Sequence, residues 1–168
     1  AFGVLLALAG LGSAAPNPTR KAPSDVRVVA EVQSAYQWIQ VFETGEGSGL
    51  QRRLAVNEAF DSFQSLWQPE IGLLGGGSYY DAFAAPAFWS HARRSEETWH
   101  VLTVGLGAGT AVRVLDGALP PGLDLHSVGV EIDPEVVRLG QEFFDLESNT
   151  TDRQVWSGRD ARQVLEGL

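Results

Sequence analysis

The sequence predicts an α/β chain in two parts: a small antiparallel β-hairpin domain, then the first part of a Rossmann-like domain. Three observations carry this. Residues 26–70 hold short segments rich in valine and aromatics, broken by glycine turns, which is the pattern of hairpins. From Val101 the period changes to strand, helix, strand, helix, strand, helix, which implies a parallel sheet with right-handed crossovers. Between the first of these strands and its helix lies a loop of closely spaced glycines, Gly105-Leu106-Gly107-Ala108-Gly109.

Taken in order, the chain opens on an apolar run, residues 1–15, whose first charge is Arg20. Three explanations fit: the end of a transmembrane helix, a signal peptide with Ser13-Ala14-Ala15 as a small-residue cleavage site, or a buried helix. The basic residues Arg20, Lys21 and Arg27 follow the positive-inside pattern, and the expectation is membrane linkage with the soluble part in the cytoplasm. Residues 16–25, with three prolines, read as a linker. With no methionine, an apolar start and an end at Leu168 inside an α/β alternation, the chain reads as a fragment of a larger protein.

In the hairpin domain, residues 26–70, strands are expected over Val26–Val32, Tyr36–Phe42, Leu50–Val56 and Phe60–Trp67, with a turn at Thr44–Gly49. The connection over residues 71–100 begins at Gly75-Gly76-Gly77. There Ser78 can cap a helix that starts at Tyr79 and meets Pro86. The Rossmann-like part, residues 101–168, is expected to hold strands at Val101–Val104, Leu125–Ile132 and Gln154–Trp156. Its helices are expected at Thr110–Leu115, ending at Gly117, from Pro134 to about Phe144 with Asp133 as cap, and at Asp160–Leu168. The aromatics Trp38, Phe42, Trp67, Phe83, Phe88 and Trp89 read as core.

The glycine loop decides the ligand class. Glycines at 105, 107 and 109 with Thr110 next give G-x-G-x-G rather than the G-x-G-x-x-G of a pyrophosphate-binding fingerprint. The former spacing is that of class I S-adenosylmethionine-binding folds. The second strand ends in Glu131, 22 residues after Gly109, where a carboxylate can accept hydrogen bonds from both ribose hydroxyls. Asp133 is an alternative, although the helix cap suits it better. Asp160 follows the third strand and can accept from an adenine amine, or serve as a plain N-cap. The competing explanation of loop and acid together is a tight turn with a surface glutamate.

Composition excludes other classes. Net charge is −9, which argues against nucleic acid as partner and is compatible with a cationic substrate. There are no cysteines, so a disulfide scaffold, a thiolate metal site and a cysteine nucleophile are excluded. His91, His100 and His126 are scattered at no metal-ligand spacing, and no metal is expected.

At this point the chain resembles the spermidine synthase (polyamine aminopropyltransferase) family over roughly residues 27–168, and within it the membrane-linked branch. Ser34-Ala35-Tyr36-Gln37-Trp38-Ile39-Gln40-Val41 is similar to that family's S-x-Y-Q-x-I-x-V strand. Tyr79-Tyr80-Asp81 stands at its Y-H-E or Y-Q-E helix start. Val128-Gly129-Val130-Glu131-Ile132-Asp133 resembles V-x-x-V-E-I-D, and Gly158-Arg159-Asp160-Ala161 resembles G-D-A with one inserted residue. The resemblance implies transfer of an aminopropyl group from decarboxylated S-adenosylmethionine to a diamine such as putrescine. It implies that Gln37 and Tyr80 flank the cofactor, with Gly105, Gly107, Ala108 and Gly109 forming its loop. Glu131 would hold the ribose and Asp160 the adenine, while Tyr79 and Asp61 would line the diamine side. The family's catalytic aspartate follows its fourth strand and is expected beyond Leu168. A homodimer is an open expectation.

Three positions depart from the family pattern. Ala108 replaces the aspartate of G-G-G-D-G, which costs a charge-assisted hydrogen bond to the cofactor's amino group of about 1.5–3 kcal/mol. Asp61, in Asn57-Glu58-Ala59-Phe60-Asp61, replaces a substrate-side glutamine, and Tyr80 replaces His or Gln. Two alternatives therefore stand beside aminopropyl transfer: a methyltransferase using intact S-adenosylmethionine, and a non-catalytic module that binds an adenosyl ligand.

Overall fold

A computed structural model of the chain describes residues 24–56, 63–70, 72–88, 98–147 and 150–167. The apolar run, Asp61, His91 and Trp89 lie outside the described residues. Among the described residues, no helix is long and apolar enough to cross a membrane.

The hairpin domain is a four-stranded antiparallel sheet in sequence order: β1 (Arg27–Gln33), β2 (Trp38–Thr44), β3 (Gln51–Val56) and β4 (Ser65–Trp67). Its second strand begins two residues later than the alternation suggests. Ser34 explains the shift, because its Oγ accepts from the amides of Tyr36 and Gln37 and holds residues 34–37 as a turn. β2 is an interior strand, and Ile39, Gln40, Val41, Phe42 and Glu43 are all buried. At Gly45 the chain reverses with φ +74, and a Cβ there would meet the Gly49 carbonyl oxygen at 2.2 Å, so only glycine fits.

Residues Tyr79–Phe88 form a 3₁₀ segment rather than an α-helix, with Pro86 inside it. The Asp81 carboxylate accepts the amides of Leu74 and Gly75, which anchors the glycine-rich approach. Phe83 and Phe88 are not core: they are 48% and 57% exposed. Ala84 and Ala87 face inward instead, because their small side chains let the segment lie close against the first helix.

The second sheet is parallel, in the order β5 (Trp99–Val104), β6 (Leu125–Glu131), β7 (Arg153–Ser157). Helices α1 (Thr110–Ala118), α2 (Pro134–Phe143) and α3 (Ala161–Glu166) follow the three strands in turn. The expected strand–helix alternation is thus present. α1 runs through Gly117 to Ala118, one residue past the expected end, and packs Leu115 on Leu125, Trp99 and Val101. α2 starts as read, with Asp133 accepting from the Glu135 amide and proline at its first position.

The main core lies between the two sheets' units. Ile39, Val41, Leu54 and Trp67 of the hairpin sheet pack on Val136 and Leu139 of α2, on its C-cap Phe144 and on Ala108 of the glycine loop. α2 therefore serves both units, and polar ties hold its two ends to the hairpin domain. At its N-terminus Asp133 accepts from Ser34 Oγ (2.6 Å) and Gln37 Nε2 (3.1 Å). At its C-terminus Arg52 donates to the Phe143 carbonyl (3.0 Å) and Trp67 Nε1 to Asp145 Oδ2 (2.8 Å).

Candidate functional site

The glycine loop leaves β5 at the carboxyl edge of the parallel sheet, where open α/β sheets bind their ligands. Gly105, Gly107 and Gly109 have φ of +72, +59 and +89, a region other residues enter only at a cost. Space adds to this at two of them. A Cβ on Gly107 would meet Ser65 Oγ at 2.9 Å, and one on Gly109 would meet Leu146 Cδ1 at 2.8 Å.

Every amide of the loop already has a protein acceptor. Gly105 and Leu106 donate to the Val130 carbonyl, both at 3.0 Å, and Gly109 donates to the Leu106 carbonyl at 3.1 Å. Gly107 donates to Glu131 Oε2 and Ala108 to Ser65 Oγ, each at 2.9 Å. A loop that cradles phosphate must aim free N–H groups at the anion. The five amides of Gly105 to Gly109 are all engaged within the protein, so none of these five is aimed at a ligand.

Glu131 sits across the loop at the end of β6. Its Oε2 accepts from Gly107 and its Oε1 from the Asp133 amide at 3.1 Å, which fixes the carboxylate with each oxygen retaining a lone pair. The side chain is 8% exposed, so it is no loose surface glutamate. Asp133 is fully buried beneath it and contacts Ser34 and Gln37. The structure thus brings Gln37, Glu131 and the loop glycines together through Asp133.

The hairpin sheet also supports the loop directly. Ser65 is 1% exposed and accepts the Ala108 amide. Thr110 Oγ1 accepts from Leu66 N (2.9 Å) and donates to Leu66 O (3.0 Å), extending β4 onto the start of α1. Ala108 itself is 2% exposed and packed in the apolar core between the units.

Tyr80 is buried with its hydroxyl donating to the Gln64 carbonyl, and burial, then its neighbour Tyr79, push its phenol pKa up. Tyr79 stacks on it at 4.2 Å between ring centroids and is 61% exposed. Asp160 caps α3 by accepting from the Arg162 amide (2.9 Å), and its other oxygen pairs with Arg162 Nη2 (2.8 Å). The Arg162 side chain first, then its backbone amide, hold the Asp160 carboxyl below the usual aspartate range. An adenine amine at Asp160 would share that carboxylate with Arg162.

Sequence reasoning missed Ser65 and the tie between Asp133 and Ser34, which it named only as part of a motif. Ser65 carries no local signal, since its partner is 43 residues away. Among the scattered histidines, His100 and His126 are cross-strand neighbours with rings 5.3 Å apart, and His126 pairs with Asp152. Among the described residues no group of three or more His, Asp or Glu is placed to hold a metal ion.

No family model matches the chain. It is 31% identical over 137 residues to a probable polyamine aminopropyl transferase of Bifidobacterium longum, covering 79% of this chain and 27% of that protein. It is 29% identical over 115 residues to a polyamine aminopropyltransferase of Chromobacterium violaceum, covering 68% of this chain and 40% of that protein. The chain thus spans less than half the length of these curated relatives. The fold is similar to a crystal structure of spermidine synthase in complex with the transition state analogue AdoDATO. The TM-score is 0.54 at 18% identity, covering 83% of this chain and 42% of that one. Over most of its own length the chain is thus similar in sequence to polyamine aminopropyltransferases and in fold to spermidine synthase.

Proposed function

We propose that this chain is the cofactor-holding part of an aminopropyltransferase that uses decarboxylated S-adenosylmethionine and a diamine such as putrescine. The observation that carries the reading is the glycine loop whose amides are all satisfied internally, beside the fixed acceptor Glu131. That arrangement fits a nucleoside without phosphate: hydroxyls donate to Glu131, and the loop backbone lies flat against the sugar. In the transfer, the amine nitrogen bonds to the aminopropyl carbon and the carbon–sulfur bond breaks. The electron pair stays on sulfur, which leaves as methylthioadenosine, and the amine's proton passes to a base. Gln37, Tyr80 and the loop residues are assigned to the cofactor, Asp160 to its adenine, and Tyr79 and Asp61 to the diamine side. The net charge of −9 favours a cationic acceptor. Membrane attachment through residues 1–15 and a homodimer belong to the same proposal. The apolar run and the basic residues after it support the attachment.

One observation favours a second reading. Ala108 is buried among apolar side chains, so this position offers no carboxylate to select a cofactor that has lost its own. A methyltransferase using intact S-adenosylmethionine has the same needs at the loop and at Glu131. Calorimetric titration of the full chain with both forms of the cofactor separates the two. Aminopropyl transfer predicts equal or tighter binding of the decarboxylated form. Tenfold preference for the intact form would favour methyl transfer instead.

A further inference from the structure

Hydrogen bonds hold the glycine loop from the sheet and from the hairpin domain. The Val130 carbonyl takes the amides of Gly105 and Leu106, Glu131 takes that of Gly107, and Ser65 takes that of Ala108. The Gly109 amide stays within the loop, so none of these five is bonded to α2. On the α2 side the contact is made by packing, and Leu146 makes it. A Cβ on Gly109 would meet Leu146 Cδ1 at 2.8 Å, and a Cβ on Gly140 of α2 would meet Leu146 Cδ2 at 2.8 Å. The methyl groups of this leucine thus fill the places where side chains are missing from the loop and from the helix.

Gly109 stands at φ +89, which favours glycine whatever its neighbours. Gly140 is different. It lies inside α2, where glycine is disfavoured against alanine, so its backbone does not call for it. Space does, because a Cβ there would also meet Ala108 Cα at 3.3 Å. The end of α2 delivers Leu146 to this seat. Asp145 turns the chain at φ +53, and the Leu146 amide donates back to the Gly140 carbonyl at 3.1 Å. Beside Leu146 lies a cavity of about 500 Å³ that is also lined by Leu106, Ala108 and Gly109. A leucine denied its seat therefore has space to turn into, and the loop has space to follow.

We propose that Leu146 is a positioning residue: wedged between Gly109 and Gly140, it sets how far the glycine loop stands from α2, and with that the loop's fit to its ligand. It acts through Gly109 and Ala108. The inference rests on the adenosyl-ligand reading above and extends it to a residue outside the loop and Glu131.

The test compares Leu146→Ala, Leu146→Met and Gly140→Ala with the wild type in the full chain. Calorimetry with methylthioadenosine reads affinity, and NMR amide exchange at Gly107 and Ala108 reads the loop. Leu146→Ala empties the seat, and Leu146→Met refills it with a side chain of similar volume. Gly140→Ala keeps the leucine but puts a methyl in its seat. Alanine favours the helix there, so an effect through helix stability alone would leave binding intact or improved. Leu125→Ala is the control, since it truncates a buried residue of the separate cluster with Ala87 and Leu115. Leu146→Ala and Gly140→Ala are expected to bind about three- to tenfold more weakly, while Leu146→Met and Leu125→Ala stay within about twofold of the wild type. In the two weakened variants the Gly107 and Ala108 amides should exchange about tenfold faster. Should Leu146→Ala fail to fold, Gly140→Ala carries the test. Unchanged affinity in Leu146→Ala and Gly140→Ala would overturn the proposal. So would equal weakening in Leu125→Ala, because affinity would then follow overall stability. A wild-type chain that binds no methylthioadenosine would instead sink the adenosyl reading, and the proposal would fall with it.

Discussion

Glu131 is a structural acceptor, and in the proposed reading the same side chain also accepts from the ligand. Two backbone amides hold its oxygens, and burial keeps water from competing. Glu131→Gln replaces an acceptor-only group with one that turns an NH₂ toward either Gly107 or Asp133. The expected result is a ten- to hundredfold loss of adenosyl-ligand affinity by calorimetry, equivalent to about 1.4–2.8 kcal/mol. An unchanged affinity would move the hydroxyl contact elsewhere. Gly107 belongs to the same scale. Gly107→Ala must place a methyl in the left-handed region and against Ser65 Oγ, the group that satisfies the Ala108 amide. The expected cost is about 2–4 kcal/mol of stability, from backbone strain plus a disturbed buried hydrogen bond. Chemical denaturation measures it, and a cost under about 1 kcal/mol would contradict the packing described.

At the scale of elements, α2 is the strut between the units, and its two ends are tied separately. Asp145, the residue after its cap, stands at φ +53, where a non-glycine residue is uncommon. Its carboxylate explains the choice, since it accepts from Trp67 Nε1 and pairs with Arg113 at 3.3 Å. Arg52 and Arg113 also lie 4.5 and 5.6 Å from the Trp67 ring. Trp67→Phe, which deletes the ring N–H, is expected to cost about 1–2 kcal/mol. Ser34→Ala, at the other end, is expected to cost about 1 kcal/mol. The ends lie about 15 Å apart along a helix of 10 residues. The double variant should therefore show the sum within about 0.5 kcal/mol. A clear departure from the sum would mean that the ties act as one unit.

Over the whole molecule, what the sequence carried and what it did not divide along contact distance. The β-to-α change of period, the position of Glu131 at its strand end and the Asp133–Pro134 helix start are all local patterns, and the elements form where those patterns put them. Ser65 on Ala108, Thr110 on β4 and Arg52 on Phe143 span more than 40 residues each, and no local pattern announces them. The 3₁₀ segment escaped for a related reason: its inward face is set by how closely α1 approaches, not by hydrophobic period. Glu43 illustrates a further global term. Its side chain is 6% exposed and paired with Arg27 and with Arg52 at 2.5 Å. Burial alone would raise its pKa, but the bonds from Arg52 and then Arg27 outweigh that and leave it below the ordinary value of 4.5. A carboxyl depressed on folding stabilises the protein fully above its unfolded value, and loses that contribution as pH falls through its folded one. Stability should therefore fall on acidification below about pH 4.5 more steeply for the wild type than for Glu43→Gln. Parallel pH curves in thermal melts would contradict this.

The central claim is that the carboxyl edge of the parallel sheet holds an adenosyl ligand without phosphate. Its most direct test is a calorimetric comparison of methylthioadenosine with ADP on the full chain. Because Gly105 to Gly109 have no amide left for an anion, methylthioadenosine should bind at least tenfold more tightly. Tighter binding of ADP would show that the loop opens its amides to a pyrophosphate, and would contradict the account.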